Sequence, residues 1–399
     1  MPDKIVFINT VCTGSHGGII SDLRRAAEIA GFDPLIAFGR WASNPEARCV
    51  RIGGQTDVAA HGLLSRLVDG HGFGSQSATR AFIRKLDSEK PALLHLHNLH
   101  GYYINIEILF DYIRHSGIPT LWTLHDCWSF TGHCSHFVRA GCGKWREQCE
   151  RCPLTREYPA NWGIDRSRHN YLRKKRAFTN LPNLRIAAPS RWLAGLVAQS
   201  YLSGAPLDVI PNGVDTGAFH PPEREMKHTR PLVLAVASQF DARKGYMDTL
   251  SVAQKLLPEA DITLVGLTKK QIAALPSGID GRAHIGDRSE LVGLYQRADV
   301  LINTTYEDTY PTVNMEAIAC GTPVVSYNTG GCAEQIAVGC GELVPVGDAD
   351  GMAEAVRRVL ARDRSIVRND CQTHSLNNFD RNEAMNSYIK LYTSMVKQA

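Results

Sequence analysis

The segment best suited to chemistry lies at residues 306–325, YEDTYPTVNMEAIACGTPVV. A strand-like run precedes it, Pro311 suits the first position of a helix, and Gly321 suits the end of one. The loop before Pro311 would then present backbone N–H groups at a helix N-terminus, a favourable position for an anion such as a diphosphate. Asp308 and Glu316 flank this position, and carboxylates accept hydrogen bonds from the hydroxyls of a ribose or a sugar. The segment therefore predicts a site for a nucleotide-linked sugar.

A second candidate motif lies at residues 238–245, SQFDARKG, where a strand-like run ends and a helical pattern begins. Arg243 and Lys244 are adjacent cations on this strand-to-helix loop, and cations in such a position neutralise a diphosphate leaving group as it departs. A solvated charge pair at a helix start is the plain alternative, but the helix dipole disfavours cations there. We therefore expect Lys244 to act on the leaving group, with Arg243 beside it.

The elements around these motifs alternate between short apolar runs and amphipathic stretches. Residues 4–9, 93–97 and 120–124 have the composition of buried strands, and residues 19–30 carry apolar positions at helical spacing. The same alternation restarts after the turn-forming segment 211–215. Strands that alternate with helices predict parallel sheets. We expect two doubly wound α/β domains, with ligands beyond the carboxyl ends of the strands, in the cleft between the domains.

Bulk composition excludes several classes of protein. A length of 399 residues suits two domains, and a formal net charge of +4 is too small to suggest nucleic acid as a partner. The N-terminal residues have the pattern of a first strand and a glycine loop rather than a secretion signal, and no apolar stretch is long enough to cross a bilayer. We therefore expect a cytoplasmic protein whose 11 cysteines are thiols or metal ligands.

The 306–325 segment resembles the E-x7-E signature of retaining glycosyltransferases of family 4, in the form found in bacterial exopolysaccharide and colanic-acid-type enzymes. Residues 330–334, GGCAE, are similar to the family's GGxxE loop near the donor sugar. The resemblance implies that Glu316 binds the ribose hydroxyls and that Asp308, in place of the usual glutamate, lies near the donor sugar. The implied substrate-binding residues of this region are Thr309, Tyr310, Pro311, Thr312, Glu316 and Glu334.

In the first domain the resemblance depends on shorter motifs. Residues 14–18, GSHGG, resemble the family's glycine loop that faces the donor, so Gly17 and Gly18 are expected to let the backbone approach it closely. The spacing is not G-x-G-x-x-G, so a dinucleotide site is not predicted. His125 corresponds to a family histidine near the reacting centre, where a structural role is the equal alternative. Three other strand-end histidines are expected to be structural: His95, His97 and His100.

The resemblance implies the GT-B fold, two Rossmann-like domains that face an interdomain cleft. Residues 1–210, completed by a C-terminal helix at 384–399, form the acceptor-side domain, and residues 211–383 bind the nucleotide sugar. The implied activity is retaining, metal-independent transfer of a hexosyl group from a UDP- or GDP-linked donor to a hydroxyl of a glycan or lipid-linked acceptor in bacterial surface polysaccharide biosynthesis. No catalytic cofactor is then required, and the leaving diphosphate accepts the proton of the incoming hydroxyl.

Two departures from the family pattern keep other functions open. Gln239 stands where the family usually has an arginine, and Asp308 stands where it usually has a glutamate. A catalytically weak sugar-nucleotide-binding subunit would bind the donor without hydrolysing it. An epimerase or a phosphorylase of the same fold is the other alternative, although the motifs follow the transferase pattern more closely.

A cysteine-rich insert occupies residues 127–152. Cys149-x2-Cys152 has the spacing of half a zinc site, and Cys134 and Cys142 precede it. Only one such half-site is present. A structural zinc held by these four cysteines and a set of partly buried free thiols are therefore both open.

The stretch 166–176, RSRHNYLRKKR, predicts an exposed basic helix. One interpretation is peripheral contact with anionic lipid headgroups at the inner face of the membrane, which would suit a lipid-linked acceptor. The more common alternative is that such a stretch forms a helix face exposed to solvent.

Overall fold

The structure is a computed structural model that describes residues 2–12, 15–40, 48–224 and 229–398, and of residues 15–17 it describes the backbone only. The chain divides into two compact units, Met1–Ile210 together with Met385–Ala399, and Pro211–Ala384. The first boundary lies at the turn-forming segment recognised in the sequence.

The first unit is built on a parallel sheet. Its strands are β1 (Lys4–Asn9), β2 (Asp33–Phe38), β3 (Cys49–Arg51), β4 (Leu93–Leu96), β5 (Thr120–Thr123), β6 (Leu184–Ala188) and β7 (Leu207–Val209). Within the described ranges they pair, all parallel, in the order β3-β2-β1-β4-β5-β6-β7. Residues 5–8 of β1 are fully buried because helices cover both faces of the sheet.

Six helices follow these strands in the first part of the chain. They are α1 (Ser15–Ile29), α2 (Gln55–Val68), α3 (Gln76–Glu89), α4 (Ile106–Ser116), α5 (Ser167–Phe178) and α6 (Arg191–Ala198), and short 3-10 helices occupy Trp128–Phe130 and Lys144–Arg146. Because α1 begins at Ser15, Gly17 and Gly18 lie in its first turn, and a Cβ at Gly18 would meet no atom within 4 Å. Gly14 of the same motif lies outside the described residues.

The second unit repeats this architecture. Its strands are β8 (Leu232–Val236), β9 (Asp261–Val265), β10 (Ile279–Arg282), β11 (Val300–Asn303), β12 (Val324–Tyr327) and β13 (Gly341–Val344), paired in parallel in the order β10-β9-β8-β11-β12-β13 in the part that the structure describes. Its helices are α7 (Tyr246–Leu256), α8 (Lys269–Ala273), α9 (Arg288–Arg297), α10 (Thr312–Ala319), α11 (Ala349–Leu360) and α12 (Arg364–Asn378), with a 3-10 helix at Gly330–Glu334.

The last helix, α13 (Arg381–Lys397), begins at the end of the second unit and belongs to the first unit from Met385 onward. Its buried tyrosines reach the sheet of the first unit. Tyr392 Oη lies 2.7 Å from His95 Nδ1, and Tyr388 Oη accepts a hydrogen bond from Thr123 Oγ1 at 3.3 Å. The C-terminal helix therefore closes one face of β4 and β5.

Among the described residues, the helices fall short of the length and apolar content that crossing a bilayer requires.

Candidate functional site

The strongest cluster of predicted residues lies in the second unit, where the β11–α10 loop meets the loop that precedes α7. Lys244 Nζ lies 2.5 Å from Asp308 Oδ2, and each side chain is 17% exposed. The two residues are 64 positions apart and come together because β8 and β11 are neighbours in the sheet. The structure thus pairs the expected cation with the expected carboxylate beyond the carboxyl ends of two parallel strands.

The backbone that carries Lys244 is closely fixed. Asp241 Oδ1 accepts a hydrogen bond from the Lys244 N–H at 2.8 Å. Gly245 has a φ of +68°, and a Cβ there would lie 2.0 Å from the carbonyl oxygen of Thr304. Glycine is required at this position because the loop passes directly against the end of β11. Lys244 is therefore presented by a rigid turn.

Arg243 attaches this turn to the opposite loop. Its guanidinium donates to the carbonyl oxygen of Glu307 at 3.0 Å, and its own carbonyl oxygen accepts from the N–H of Tyr306 at 2.8 Å. These bonds hold the backbone on either side of the Lys244–Asp308 pair. The structure thereby gives Arg243 a positioning role that its charge alone did not predict.

The start of α10 differs by one residue from the prediction. Thr312 is the first helical residue, and Pro311 precedes it with a φ of −65° and a ψ of 126°. The sequence predicted Pro311 as the first helical residue, and this was wrong because the proline ring fixes φ but leaves ψ free to be extended. No side-chain cap hydrogen bond is made at Pro311. Because the ring of Pro311 carries no polar atom, this residue does not itself cap the N–H groups at the start of α10, to which an anion would bind.

Two glycines bring the 3-10 helix Gly330–Glu334 onto the same loop. Gly330 has a φ of +54°, and a Cβ there would lie 1.8 Å from the carbonyl oxygen of Asp308. The N–H of Gly331 donates to this oxygen at 3.1 Å. Side chains at either position would push the two loops apart, so the glycine pair is needed for their contact. Glu334 lies at the exposed end of this short helix.

A chain of buried amides, which the sequence analysis missed, connects the three segments of the site. Asn303 Nδ2 donates to Asn314 Oδ1 at 2.9 Å, and Asn314 Nδ2 donates to Gln335 Oε1 at 3.1 Å. Gln335 Nε2 then donates to the carbonyl oxygen of Pro311 at 3.0 Å. Asn314 and Gln335 are fully buried, so each broken bond would leave an unsatisfied polar group. The sequence feature that could have predicted these contacts is an amide residue among apolar neighbours at positions 314 and 335.

Glu316 on α10 is held by a buried tyrosine. Tyr295 Oη donates to Glu316 Oε2 at 2.8 Å, and Tyr295 itself is fully buried. Burial raises the pKa of Glu316 above its ordinary value, while hydrogen bonds from Tyr295 and Thr312 and the charge of Arg288 oppose the rise. The sequence predicted Glu316 but not that Tyr295 and Arg288 approach it, because both residues come from another helix, α9. The carboxylate is a positioned acceptor for hydroxyl groups.

The side chains of the other residues predicted to contact the donor, at 309–312, differ in burial. The side chains of Thr309, Tyr310 and Pro311 are buried, whereas Thr312 is exposed. The loop therefore offers mainly its backbone at the position predicted for an anion.

In the first unit, His125 lies next to a second histidine. His125 Nε2 is 3.0 Å from His97 Nδ1, and their rings are stacked. His95 is 2.8 Å from Thr123 Oγ1 through its Nε2. Burial lowers the pKa of His95 and His97 well below the usual range, so both are neutral. These contacts assign structural positions to His95 and His97 and leave His125 half-buried at the strand end.

The four cysteines of the predicted zinc site line one pocket, together with His133. A hydrogen bond from Cys134 lowers the pKa of the Cys152 thiol to about 7. Within the described ranges, however, no three histidine, cysteine or acidic side chains are arranged to hold a metal ion. The four thiols therefore lie around one pocket but are not arranged as the ligands of a metal ion. Structural zinc stays a prediction.

Metal analysis of protein purified without added zinc and without a histidine tag tests this prediction. If the four cysteines hold a structural zinc, about one equivalent per chain should be found, because a four-thiolate site binds zinc tightly enough to survive purification. Replacing Cys149 by serine should release the metal, whereas the same change at Cys371, outside the insert, should not. A content below about half an equivalent would identify the cluster as free thiols.

The basic stretch is only partly exposed, contrary to the prediction of an exposed basic helix. Lys174 is 1% exposed, donates to the carbonyl oxygen of Trp128 at 2.8 Å and lies 3.4 Å from the centre of its indole ring. Burial lowers the pKa of Lys174 to about 7. Arg173 pairs with Glu107 and lies over the ring of Phe73. The helix itself was predicted and forms as α5, but the number of charges does not specify which face of a helix packs inward, and this face carries the two cations.

Comparisons with family models find two matches. A model described as "Glycosyltransferase Family 4" matches residues 19–218, and a model described as "Glycosyl transferases group 1" matches residues 230–362. Between them the two models span most of both units.

Known proteins of similar sequence include glycosyltransferases. A protein named as a colanic acid biosynthesis glycosyl transferase of Escherichia coli K12 is 25% identical over 350 residues, which cover 83% of this chain and 84% of the relative. An α-(1→4)-mannosyltransferase of Mycolicibacterium hassiacum is 28% identical over 208 residues, 49% of each chain.

Solved structures share the fold over the whole chain. Sucrose-phosphate synthase of Thermosynechococcus elongatus superposes with a TM-score of 0.74 at 18% identity and full coverage of both chains. The Anabaena protein HepE in complex with UDP and glucose gives a TM-score of 0.69 at 14% identity, covering 98% of this chain and 100% of HepE. At these identities the likeness concerns the fold alone.

Proposed function

Because the chain belongs to glycosyltransferase family 4 and has the GT-B type of fold, we propose that it is a retaining hexosyltransferase. Its donor is a UDP- or GDP-linked sugar, and its acceptor is a hydroxyl of a glycan or lipid-linked saccharide in bacterial surface polysaccharide biosynthesis. The observation that carries the proposal is the Lys244–Asp308 pair at the start of α10. It combines a positioned cation with a helix N-terminus, which together suit a diphosphate.

The donor side is assigned to the second unit. Lys244 stabilises the charge that develops on the leaving diphosphate, and Asp308 orients Lys244 and contacts the donor sugar. Glu316 accepts hydrogen bonds from the ribose hydroxyls, which suits a carboxylate already held by Tyr295. The backbone at 309–312 and Glu334 complete the donor contacts.

The chemical step needs no protein nucleophile. The sugar leaves with oxocarbenium character, and an oxygen of the departing diphosphate accepts the proton of the incoming hydroxyl on the same face. Positioning and charge stabilisation then supply the rate enhancement, without a catalytic metal or cofactor. On the acceptor side we assign Gly17 and Gly18 to close backbone approach and His125 to the neighbourhood of the reacting hydroxyl.

One solved structure of similar fold and one relative by sequence support the proposed classes of substrate. HepE was solved in complex with UDP-glucose. A Campylobacter jejuni relative, 27% identical over 175 residues, is named for a diphospho-undecaprenol acceptor. For this chain we accordingly propose a nucleotide-sugar donor and a lipid-linked or glycan acceptor. We place the reaction on the cytoplasmic side, in peripheral contact with an anionic membrane.

A catalytically weak sugar-nucleotide-binding subunit is the second candidate. The observation that favours it is that Asp308 replaces the family glutamate and is engaged by Lys244. Slow hydrolysis of the donor in the absence of acceptor distinguishes the transferase from the binding subunit. A transferase hydrolyses the nucleotide sugar slowly, whereas a binding subunit leaves it unchanged. An epimerase would instead convert the donor to an isomer.

A thermal-shift panel of UDP- and GDP-linked sugars tests the proposed function. Ligand that binds only the folded state stabilises it by about 2.7 kcal/mol at a hundredfold excess over Kd. For a domain of this size the melting temperature should then rise by about 5 to 10 °C. We expect one nucleobase class to give this shift and free UMP or GMP to give less. A panel in which every nucleotide sugar leaves the melting temperature unchanged would contradict the assignment.

A further inference from the structure

Large apolar side chains of the first unit are exposed on two neighbouring segments, and four of them are at least half exposed. Leu63 and Leu67 of α2 are 55% and 50% exposed, and Trp162 and Ile164 are 69% and 59% exposed. Isolated exposed apolar residues are normal, but a group that includes tryptophan and isoleucine indicates a surface that is covered during function. These four residues are called the apolar patch below.

Backbone contacts make the apolar patch continuous. The N–H of Trp162 donates to the carbonyl oxygen of Arg66 at 2.8 Å, and the N–H of Ile164 donates to that of Leu67 at 3.4 Å. A Cβ at Gly163 would lie 2.0 Å from the Leu67 carbonyl oxygen, so glycine is needed for the segment to run along the end of α2. The segment that carries Trp162 and Ile164 is thereby held against the C-terminal turn of α2, which carries Leu67.

Cations border the apolar patch. The Arg66 guanidinium lies 5.5 Å from the centre of the Trp162 ring. Arg166 and Arg168 follow Ile164 closely, both are exposed, and neither forms an ion pair in the part of the chain that the structure describes. The exposed acid between them and the patch, Asp165, directs its carboxylate to the N–H groups of Cys152 and Ser167. The carboxylate of Asp165 stays ionised, but the three arginines outnumber it, so the net charge at the patch is positive.

We propose that the apolar patch, together with Arg166 and Arg168, docks the first unit onto an anionic phospholipid bilayer. Tryptophan and aliphatic side chains enter the boundary between headgroups and acyl chains, while arginines bind lipid phosphates. A second copy of the chain fits less well, because a self-complementary contact would bring the same arginines towards each other. This proposal rests on the proposed function and names the surface that makes its membrane contact. The contact is assigned to exposed residues, because Arg173 and Lys174 of the basic stretch face inward.

Flotation of the full chain with vesicles tests the docking surface. Wild-type protein should float with vesicles of phosphatidylglycerol and phosphatidylcholine and much less with phosphatidylcholine alone. The double variant Trp162→Ser/Ile164→Ser should bind about tenfold more weakly, since affinity scales with the apolar area buried. Arg166→Ser and Arg168→Ser should each weaken binding about fivefold at low salt.

The matched control changes two equally exposed apolar residues of the second unit. Met247 and Ile366 are 70% and 61% exposed, and Met247→Ser/Ile366→Ser should bind anionic vesicles as the wild type does. Unchanged melting temperatures establish that all variants are folded. Equal vesicle binding by wild type and Trp162→Ser/Ile164→Ser would overturn the proposal. The proposal would also be overturned if the wild type failed to float and light scattering showed it to be a dimer that dissociates in Trp162→Ser/Ile164→Ser. The patch would then be an interface between two copies of the chain.

The flotation experiment and the nucleotide-sugar panel test the two proposals separately. A chain that binds vesicles through the patch but no nucleotide sugar would retain the docking surface and lose the transferase assignment. The reverse result would leave the transferase assignment intact and remove the docking surface.

Discussion

Lys244→Ala is expected to lower the turnover number of glycosyl transfer by about a hundredfold or more, the size of effect seen when a preorganised charge is removed from a developing anion. The structure adds a second cause. Without the lysine, the carboxylate of Asp308, 17% exposed, would lie beside the proposed donor diphosphate with its charge uncompensated. Repulsion should then raise the KM for the donor as well.

Initial rates at varied donor concentration measure this effect, once a donor has been identified from the panel. Lys255→Ala is the matched control, because Lys255 is an exposed lysine of the same unit that pairs with Asp350. Lys244→Ala/Asp308→Asn separates the two causes, since it removes the repelling carboxylate while the cation stays absent. It should recover part of the KM, because the proposed contact between Asp308 and the donor sugar is weakened as well, and it should leave the turnover number low. Near-normal turnover in Lys244→Ala would refute the role given to this residue.

Glu316→Ala is expected to raise the KM for the donor by about tenfold to a hundredfold, which corresponds to the loss of hydrogen bonds to a charged group. The same substitution leaves the buried hydroxyl of Tyr295 without its acceptor, and an unsatisfied buried group costs about 1 to 3 kcal/mol of stability. Glu316→Gln keeps an acceptor for Tyr295 and should therefore melt close to the wild type. Its donor affinity should still fall, because the amide is uncharged.

The raised pKa of Glu316 adds a pH dependence to this prediction. Burial favours the protonated form, so donor affinity should decline on acidification at a pH above the range of an ordinary glutamate. Isothermal titration of the nucleotide at several pH values measures this. Glu316→Gln should lose the dependence, and Glu354→Ala, at an exposed glutamate of α11, should retain it. A wild type and a Glu316→Gln variant with the same pH profile would remove Glu316 from the ribose site.

Local pattern was sufficient to predict much of the fold. The run at 4–9 forms β1 with the predicted bounds, and the predicted runs at 93–97 and 120–124 form β4 and β5 with one residue fewer each. Short β-branched and leucine-rich runs between helical stretches have few alternatives to a buried parallel strand, because both faces must be covered by helices. The same local logic located the loop and helix that contain Asp308 and Glu316.

Residue types and spacing along the chain therefore determined the fold class, the family and most of the residues assigned to the donor. Tertiary structure alone decided which of them meet: Lys244 reaches Asp308, Arg243 binds the backbone of the opposite loop, and Tyr295 holds Glu316. It also decided that Lys174 is buried. The physical reason is that local periodicity specifies which face of an element is apolar, whereas contacts across many positions depend on strand order and helix packing, which no short segment encodes.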